Sequence, residues 1–232
     1  LAALVERCHD SLIEVAGVVK AVSALPEIVR VYEESGVKFI ATSRVSQLRT
    51  IREAGLIRKP LMLIRIPMLS ELADVVELSD ISLQSDITVL RALNEEAKRQ
   101  NKIHEVILMM DLGDLREGFW SREELVDAAL EVEYKLDHLE LAGVGTNLGC
   151  YGSVAATPEK LRELVSAAEA HTADLVIAPF WMVYPENYVE HIRPWEKALQ
   201  HVLQRNPPRT RAYGYLPAGV YTCLLYTSDA AD

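Results

Sequence analysis

The chain is poor in cysteine. Its three thiols, Cys8, Cys150 and Cys223, are too few and too scattered for a disulfide framework or a zinc site, so a reducing, cytoplasmic setting is expected. It also lacks an excess of positive charge. Twenty-four Lys and Arg stand against 34 Asp and Glu, a net −10 with histidines neutral. A field of that sign repels phosphate backbones and anionic lipid, which argues against nucleic acid and membrane surfaces as partners. A small anion must then be held by local donors. No apolar run approaches the roughly 20 residues that a membrane span requires.

The opening residues, LAALVERCHD, have no basic region followed by an apolar core, so they are not a secretory signal. Leu1, Leu4, Val5, Cys8 and Leu12 share one face of a helix already under way, and the natural protein is expected to begin earlier. The last residues, 226–232, carry no packing pattern and are expected to be a non-native tail. The six histidines show no HExxH or HxH spacing, which leaves a metal site without support. No GxSxG elbow, GxGxxG turn or Walker loop is present either.

What the chain does have is alternation. Short apolar runs at 15–21, 37–41, 61–66, 80–83, 105–113, 139–147, 174–178 and 219–225 read as strands. Amphipathic helical segments lie between them. Pro26 opens one helix and Gly36 closes it, another stops at Gly55, and Ser70 is expected as the cap of the helix after the third strand. Ser121 and Glu124 have capping-box spacing, and Thr157-Pro158 starts the helix after the sixth strand. Continuous apolar strands alternating with helices imply parallel pairing with right-handed crossovers. The length fits one α/β domain, a (β/α)₈ barrel of the TIM type, incomplete or altered at its last strands; an open doubly wound sheet is the structural alternative.

In such a barrel the chemistry belongs on the carboxyl rim. The first strand ends in Lys20, among Val18, Val19 and Ala21. Two readings stand for it: an amine kept reactive by desolvation and able to form a Schiff base, or a lysine that snorkels to water. The second strand ends in Thr42-Ser43-Arg44, the third in Arg65 and the fourth in Gln84-Ser85-Asp86, residue types that also serve as helix caps. The fifth runs into DLGDLREG (111–118), which either aims Arg116 inward or leaves it solvated, with a loop ion pair to Asp111 or Asp114. The sixth runs into GVGTNLGCYG (143–152), where glycines permit close backbone approach and Asn147 offers both donor and acceptor. Cys150 beside it reads as a buried small residue.

The ordered set GVVKA, TSR, LMLIRIPMLSE, DISLQSD, ILMMDLGDLREG and GVGTNLGCYG resembles the alanine/ornithine racemase family of pyridoxal-phosphate enzymes over about residues 10–165. The resemblance implies a barrel followed by a β-rich second domain, with pyridoxal 5′-phosphate at the barrel mouth. It matches Lys20 to the lysine that carries the cofactor and serves as one of two catalytic bases. Arg116 matches the arginine near the cofactor's phenolic oxygen and the substrate carboxylate. Asn147 falls where many alanine racemases place a histidine over the pyridine ring, and Ser85 joins the expected cofactor contacts. The implied substrate is an amino acid and the implied full-length assembly a homodimer.

The sequence departs from the family over 171–215, and no arginine follows LPAGVYTCLL (216–225) where one normally meets the pyridine nitrogen. The expected barrel domain is therefore 1–225, and the second domain, which supplies the other base in alanine racemases, is expected to be missing. Two other readings are a single-domain pyridoxal-phosphate-binding protein that manages cofactor supply, and an unrelated barrel enzyme that binds a carboxylate at Arg116 without a cofactor.

Overall fold

A computed structural model describes residues 1–10, 13–55, 57–148, 154, 157–169, 174–178 and 212–217. The strands are β1 (Ile13–Val18), β2 (Phe39–Thr42), β3 (Leu61–Leu63), β4 (Ile81–Gln84), β5 (His104–Met109), β6 (Leu139–Asn147), β7 (Asp174–Ala178) and β8 (Ala212–Pro217). They form a closed barrel in sequence order, and every neighbouring pair is parallel. Closure is made by β8 lying along β1, from Ile13 opposite Ala212 to Val18 opposite Pro217.

The (β/α)₈ expectation holds. The alteration expected at the last strands takes the form of a displaced eighth strand: 212–217 closes the ring, so it is not left open. The segment 219–225 lies outside the described residues, as do Cys150, Cys223 and most of the atypical 171–215 stretch. The seventh and sixth strands fall where the apolar runs put them.

The helices are α1 (Ala2–His9), α2 (Pro26–Glu34), α3 (Val45–Ala54), α4 (Leu72–Leu78), α5 (Ile87–Arg99), α6 (Arg122–Lys135) and α7 (Pro158–Glu169). Local signals account for several of their ends. Pro26 fixes φ in the first turn of α2. Gly55, at φ 62°, ends α3 in the left-handed region that side chains resist. Ser121 Oγ accepts from Glu124 N at 3.1 Å while Glu124 Oε2 accepts from Ser121 N at 3.3 Å, a complete capping box. Ser70 does not cap its helix; it sits inside a 3₁₀ turn, Leu69–Glu71, that precedes α4. There Glu71 takes the amide of Met68 at 3.2 Å.

Two apolar layers result from the strand period of two. Ala16, Val18, Phe39, Ala41, Met62, Ile81, Leu83, Ile107 and Met109 fill the barrel interior. The alternate residues, among them Val15, Ile40, Leu61, Leu63, Val106, Leu108 and Val144, pack against the helices. Among the described residues these interior positions are apolar and buried, which leaves the carboxyl rim as the place for polar chemistry. Among the described residues no helix is long and apolar enough to cross a membrane.

One polar network interrupts the outer layer. Gln84 Nε2 donates to Ser82 Oγ at 2.8 Å, and Ser82 Oγ lies 2.8 Å from His104 Nε2; all three side chains are buried. Burial pushes the His104 pKa down to about 4, so the ring is neutral at pH 7. The folded value lies below the ordinary one of 6.5, so the unfolded chain binds the proton first as pH falls. The stabilisation is complete above pH 6.5 and is lost on the way down to pH 4. A shift of that size corresponds to about 3 kcal/mol. Urea unfolding of wild type and His104→Gln at pH 7, 5.5 and 4 should show the variant's stability falling less over this range, by about that amount. Parallel curves would rule out His104 as the source.

Candidate functional site

The carboxyl rim gathers the side chains singled out in the sequence, each by a different local device. β1 stops at Val18, two residues short of Lys20. Val19 N still pairs with Ala41 O at 2.9 Å, and the chain then turns into a 3₁₀ helix, Lys20–Val22. Lys20 is half-buried on this turn. It therefore stands on the rim just past the strand, neither within the sheet nor open to solvent. Its carbonyl accepts from Gln47 Nε2 at 3.1 Å, and Gln47 Oε1 in turn accepts from Thr42 Oγ1.

The third strand is only three residues long, which leaves Arg65 beyond it. All three guanidinium nitrogens are engaged: Nε donates to Ser43 O at 2.7 Å, Nη1 to Ile66 O at 3.1 Å, and Nη2 to both Glu71 oxygens at 2.8 and 2.7 Å. Arg65 thus clamps the loops after β2 and β3 together. Ser85 follows β4 and is half-buried at the rim. Its neighbour Asp86 does the capping, taking Thr88 N at 2.6 Å and Val89 N at 3.1 Å, so Ser85 is not used as the cap.

The loop after β5 is built on its own backbone. Asp111 Oδ1 accepts from Gly113 N at 2.7 Å and from Leu115 N at 3.2 Å. Phe119 returns to the sheet, its N–H to Met109 O at 2.7 Å and its carbonyl receiving Asp111 N at 3.0 Å. Lys160 of α7 donates to Leu112 O. Gly118 is required at this crossing: its φ is 129°, and a Cβ there would lie 2.3 Å from Asp111 N and 2.5 Å from Met110 C. The loop presents Arg116 exposed to solvent while Asp114 is buried.

Asn147 closes β6 with only 8% of its surface exposed, and its Nδ2 donates to Glu117 Oε1 at 3.1 Å. The structure therefore joins the Arg116 loop to the β6 end through a residue that the sequence reading passed over. Lys20 is tied instead to the end of β2. In a ring of eight, β5 lies opposite β1, so the turn that carries Lys20 and the loop that carries Arg116 follow opposite strands of the rim. Gln47 is the second residue missed. Its signal was legible: a polar side chain on the buried face of α3, beside Val45, Leu48 and Ile51, must find a partner. Glu117 carried no such mark. Among the described residues no His/Cys/Asp/Glu group is arranged to hold a metal ion.

The fold and rim define a parallel barrel whose mouth presents a lysine, a buried amide and an arginine-bearing loop from separate strands. A family description, alanine racemase, N-terminal domain, matches residues 1–182, and the chain belongs to that family. It is 40% identical over 162 residues to ornithine racemase of Acetoanaerobium sticklandii, which covers 70% of this chain and 45% of the relative. It is 32% identical over 166 residues to lysine racemase of Thermotoga maritima, covering 72% and 45%. Among solved structures, alanine racemase from Streptomyces lavendulae superposes with a TM-score of 0.69 at 19% identity, covering 95% of this chain and 55% of that one. The chain spans about half the length of the curated relatives it matches.

Substituting Gly118→Ala should cost about 1–3 kcal/mol through the left-handed φ and the backbone clash. A melting temperature lowered by several degrees would register it. An unchanged value would mean that the Arg116 loop has another conformation.

Proposed function

We propose that this chain is the barrel part of a pyridoxal-phosphate-dependent amino-acid racemase, with Lys20 as the residue that carries the cofactor. The observation that supports this most is the half-buried Lys20 on a rim turn held by Gln47 of α3, at the end of the strand opposite the one that leads into the Arg116 loop. The family uses pyridoxal phosphate, and the donor set fits that group. An amine meets the aldehyde, a guanidinium suits the phenolic oxygen, and a buried amide on the inner rim suits ring contact. Ser85, half-buried at the β4 end, belongs to the same proposed set of contacts. The loops after β7 and β8, where barrels commonly hold phosphate, lie outside the described residues.

Pyridoxal phosphate supplies the electron sink that makes an amino acid's Cα proton removable. Lys20 Nζ accepts or returns that proton on its own face. Arg116, on the loop after β5, would hold the substrate carboxylate. Asn147, whose Nδ2 donates to Glu117, would lie against the ring. By the family resemblance the base on the other face comes from the second domain, so racemisation is proposed for the whole protein, as a cytoplasmic homodimer. The names of the two relatives reported above make a diamino acid, ornithine or lysine, the first substrate to try.

Adding pyridoxal phosphate to the chain should produce an absorbance band that borohydride removes, with the label recovered on the Lys20 peptide. Lys20→Ala should lose both band and label. Uptake of the chromophore at one site by Lys20→Ala would refute the assignment.

A further inference from the structure

We infer that Gln47 is a positioning residue for Lys20, fixing the strained turn from which the amine reaches the barrel mouth; the inference rests on the reading of Lys20 as the cofactor lysine. After the 3₁₀ turn, Ser23 and Ala24 both adopt left-handed backbone, with φ of 52° and 51°. Neither is glycine, and residues held there cost of order 1–3 kcal/mol each. A chain does not adopt two in succession unless its surroundings demand it.

The turn's own amides supply part of the restraint. Ser23 N donates to Lys20 O at 3.2 Å, Ala24 N to Val19 O at 3.1 Å, and Leu25 N to Val22 O at 3.1 Å. Burial of Ala24 adds to it. A side-chain hydrogen bond to the turn comes from elsewhere in the fold: Gln47 donates to the carbonyl of Lys20 itself.

Gln47 is well placed to act as a fixed point. It is 8% exposed, and both ends of its amide are used. Thr42 Oγ1 donates to Oε1, which leaves Nε2 directed at Lys20. Thr42 is itself buried at the end of β2, and its carbonyl receives Ile64 N at 3.0 Å. A chain of bonds therefore runs from the loop after β3, through the end of β2, to the backbone of Lys20. An amine on a four-carbon stem is aimed only as well as its Cα is held, and misplacement by about 1 Å can cost on the order of 100-fold in rate. Glutamate at position 47 keeps the shape but sets an acceptor against the Lys20 carbonyl.

The test compares wild type, Gln47→Glu, Gln47→Leu, Thr42→Val, Thr42→Ser and the exposed control Ser46→Ala. Each is incubated with pyridoxal phosphate and, separately, with pyridoxal, which lacks the phosphate and so reports on the amine alone. Borohydride trapping with peptide mapping gives the rate of bond formation at Lys20, and melting temperature gives the structural effect. The Gln47 variants should be slowed at least about tenfold with both aldehydes. Thr42→Val should be slowed less, Thr42→Ser should recover the wild-type rate, and Ser46→Ala should match it. Wild-type trapping rates in Gln47→Glu and Gln47→Leu, whatever their melting temperatures, would overturn the inference. If both Gln47 variants fail to fold, equal rates for Thr42→Val and Thr42→Ser overturn it, and a deficit restored by serine sustains it. A wild-type chain that takes no label at Lys20 overturns the cofactor reading and this inference together; label in wild type with unchanged variants overturns this inference alone.

Discussion

Closing eight parallel strands into a ring leaves no free backbone edge, and the rest of the molecule follows from that constraint. Once β8 pairs with β1, each strand's amides and carbonyls are committed to its two neighbours. The interior positions hold apolar side chains such as Met62, Leu83, Ile107 and Met109, and the outer positions are taken by the helices. Polar chemistry is left the strand ends. Since the strands are parallel, all the carboxyl ends open on one rim, and residues distant in sequence, from Lys20 to Asn147, surround one mouth.

That rim is braced by devices that look functional when read singly. Arg65 has the composition of an anion site but spends its guanidinium on Ser43, Ile66 and Glu71. Lys160 reaches back to a carbonyl of the β5 loop. These cations hold loops in place, and the loops carry the residues of the proposed site. The division matters for rate, because a reacting group gains from orientation only when its support does not yield.

Much of this was legible in the sequence. The sixth and seventh strands, the capping box at Ser121 and the Gly55 stop were readable because each rests on a local signal. The eighth strand was placed at 219–225, where the apolar run is, while closure is made by 212–217. Apolar content marks a segment as buried, but the register against β1 decides which segment pairs, and register is a tertiary fact. Lys20 was read as the end of a strand and proves to start a 3₁₀ turn, since nothing local announces that Ser23 and Ala24 adopt left-handed backbone. Ser70 was assigned a cap that the chain does not need, because the 3₁₀ turn at Leu69–Glu71 already leads into the helix. Glu117 was passed over because nothing in its local sequence marks it, and its partnership with Asn147 depends on two loops meeting in space.

Charge brings the argument to scale. The proposed cofactor is anionic and the chain carries −10 at pH 7. At physiological salt, interactions between exposed charges fade over about 8 Å, so the summed field weakly opposes approach and says little about what happens at contact. At contact the terms are local: a covalent bond to one amine, a guanidinium on the loop opposite, and the donors of a buried amide. On the proposed reading, a covalent bond at Lys20 makes the net charge tolerable, because it adds an attachment that the weak summed field does not oppose. It also makes the site intolerant of a loose lysine, since no broad attractive field is present to compensate for a poorly aimed amine. On that reading, the buried hydrogen bonds that hold the turn at Lys20 are what an acidic barrel would need in order to keep an acidic guest.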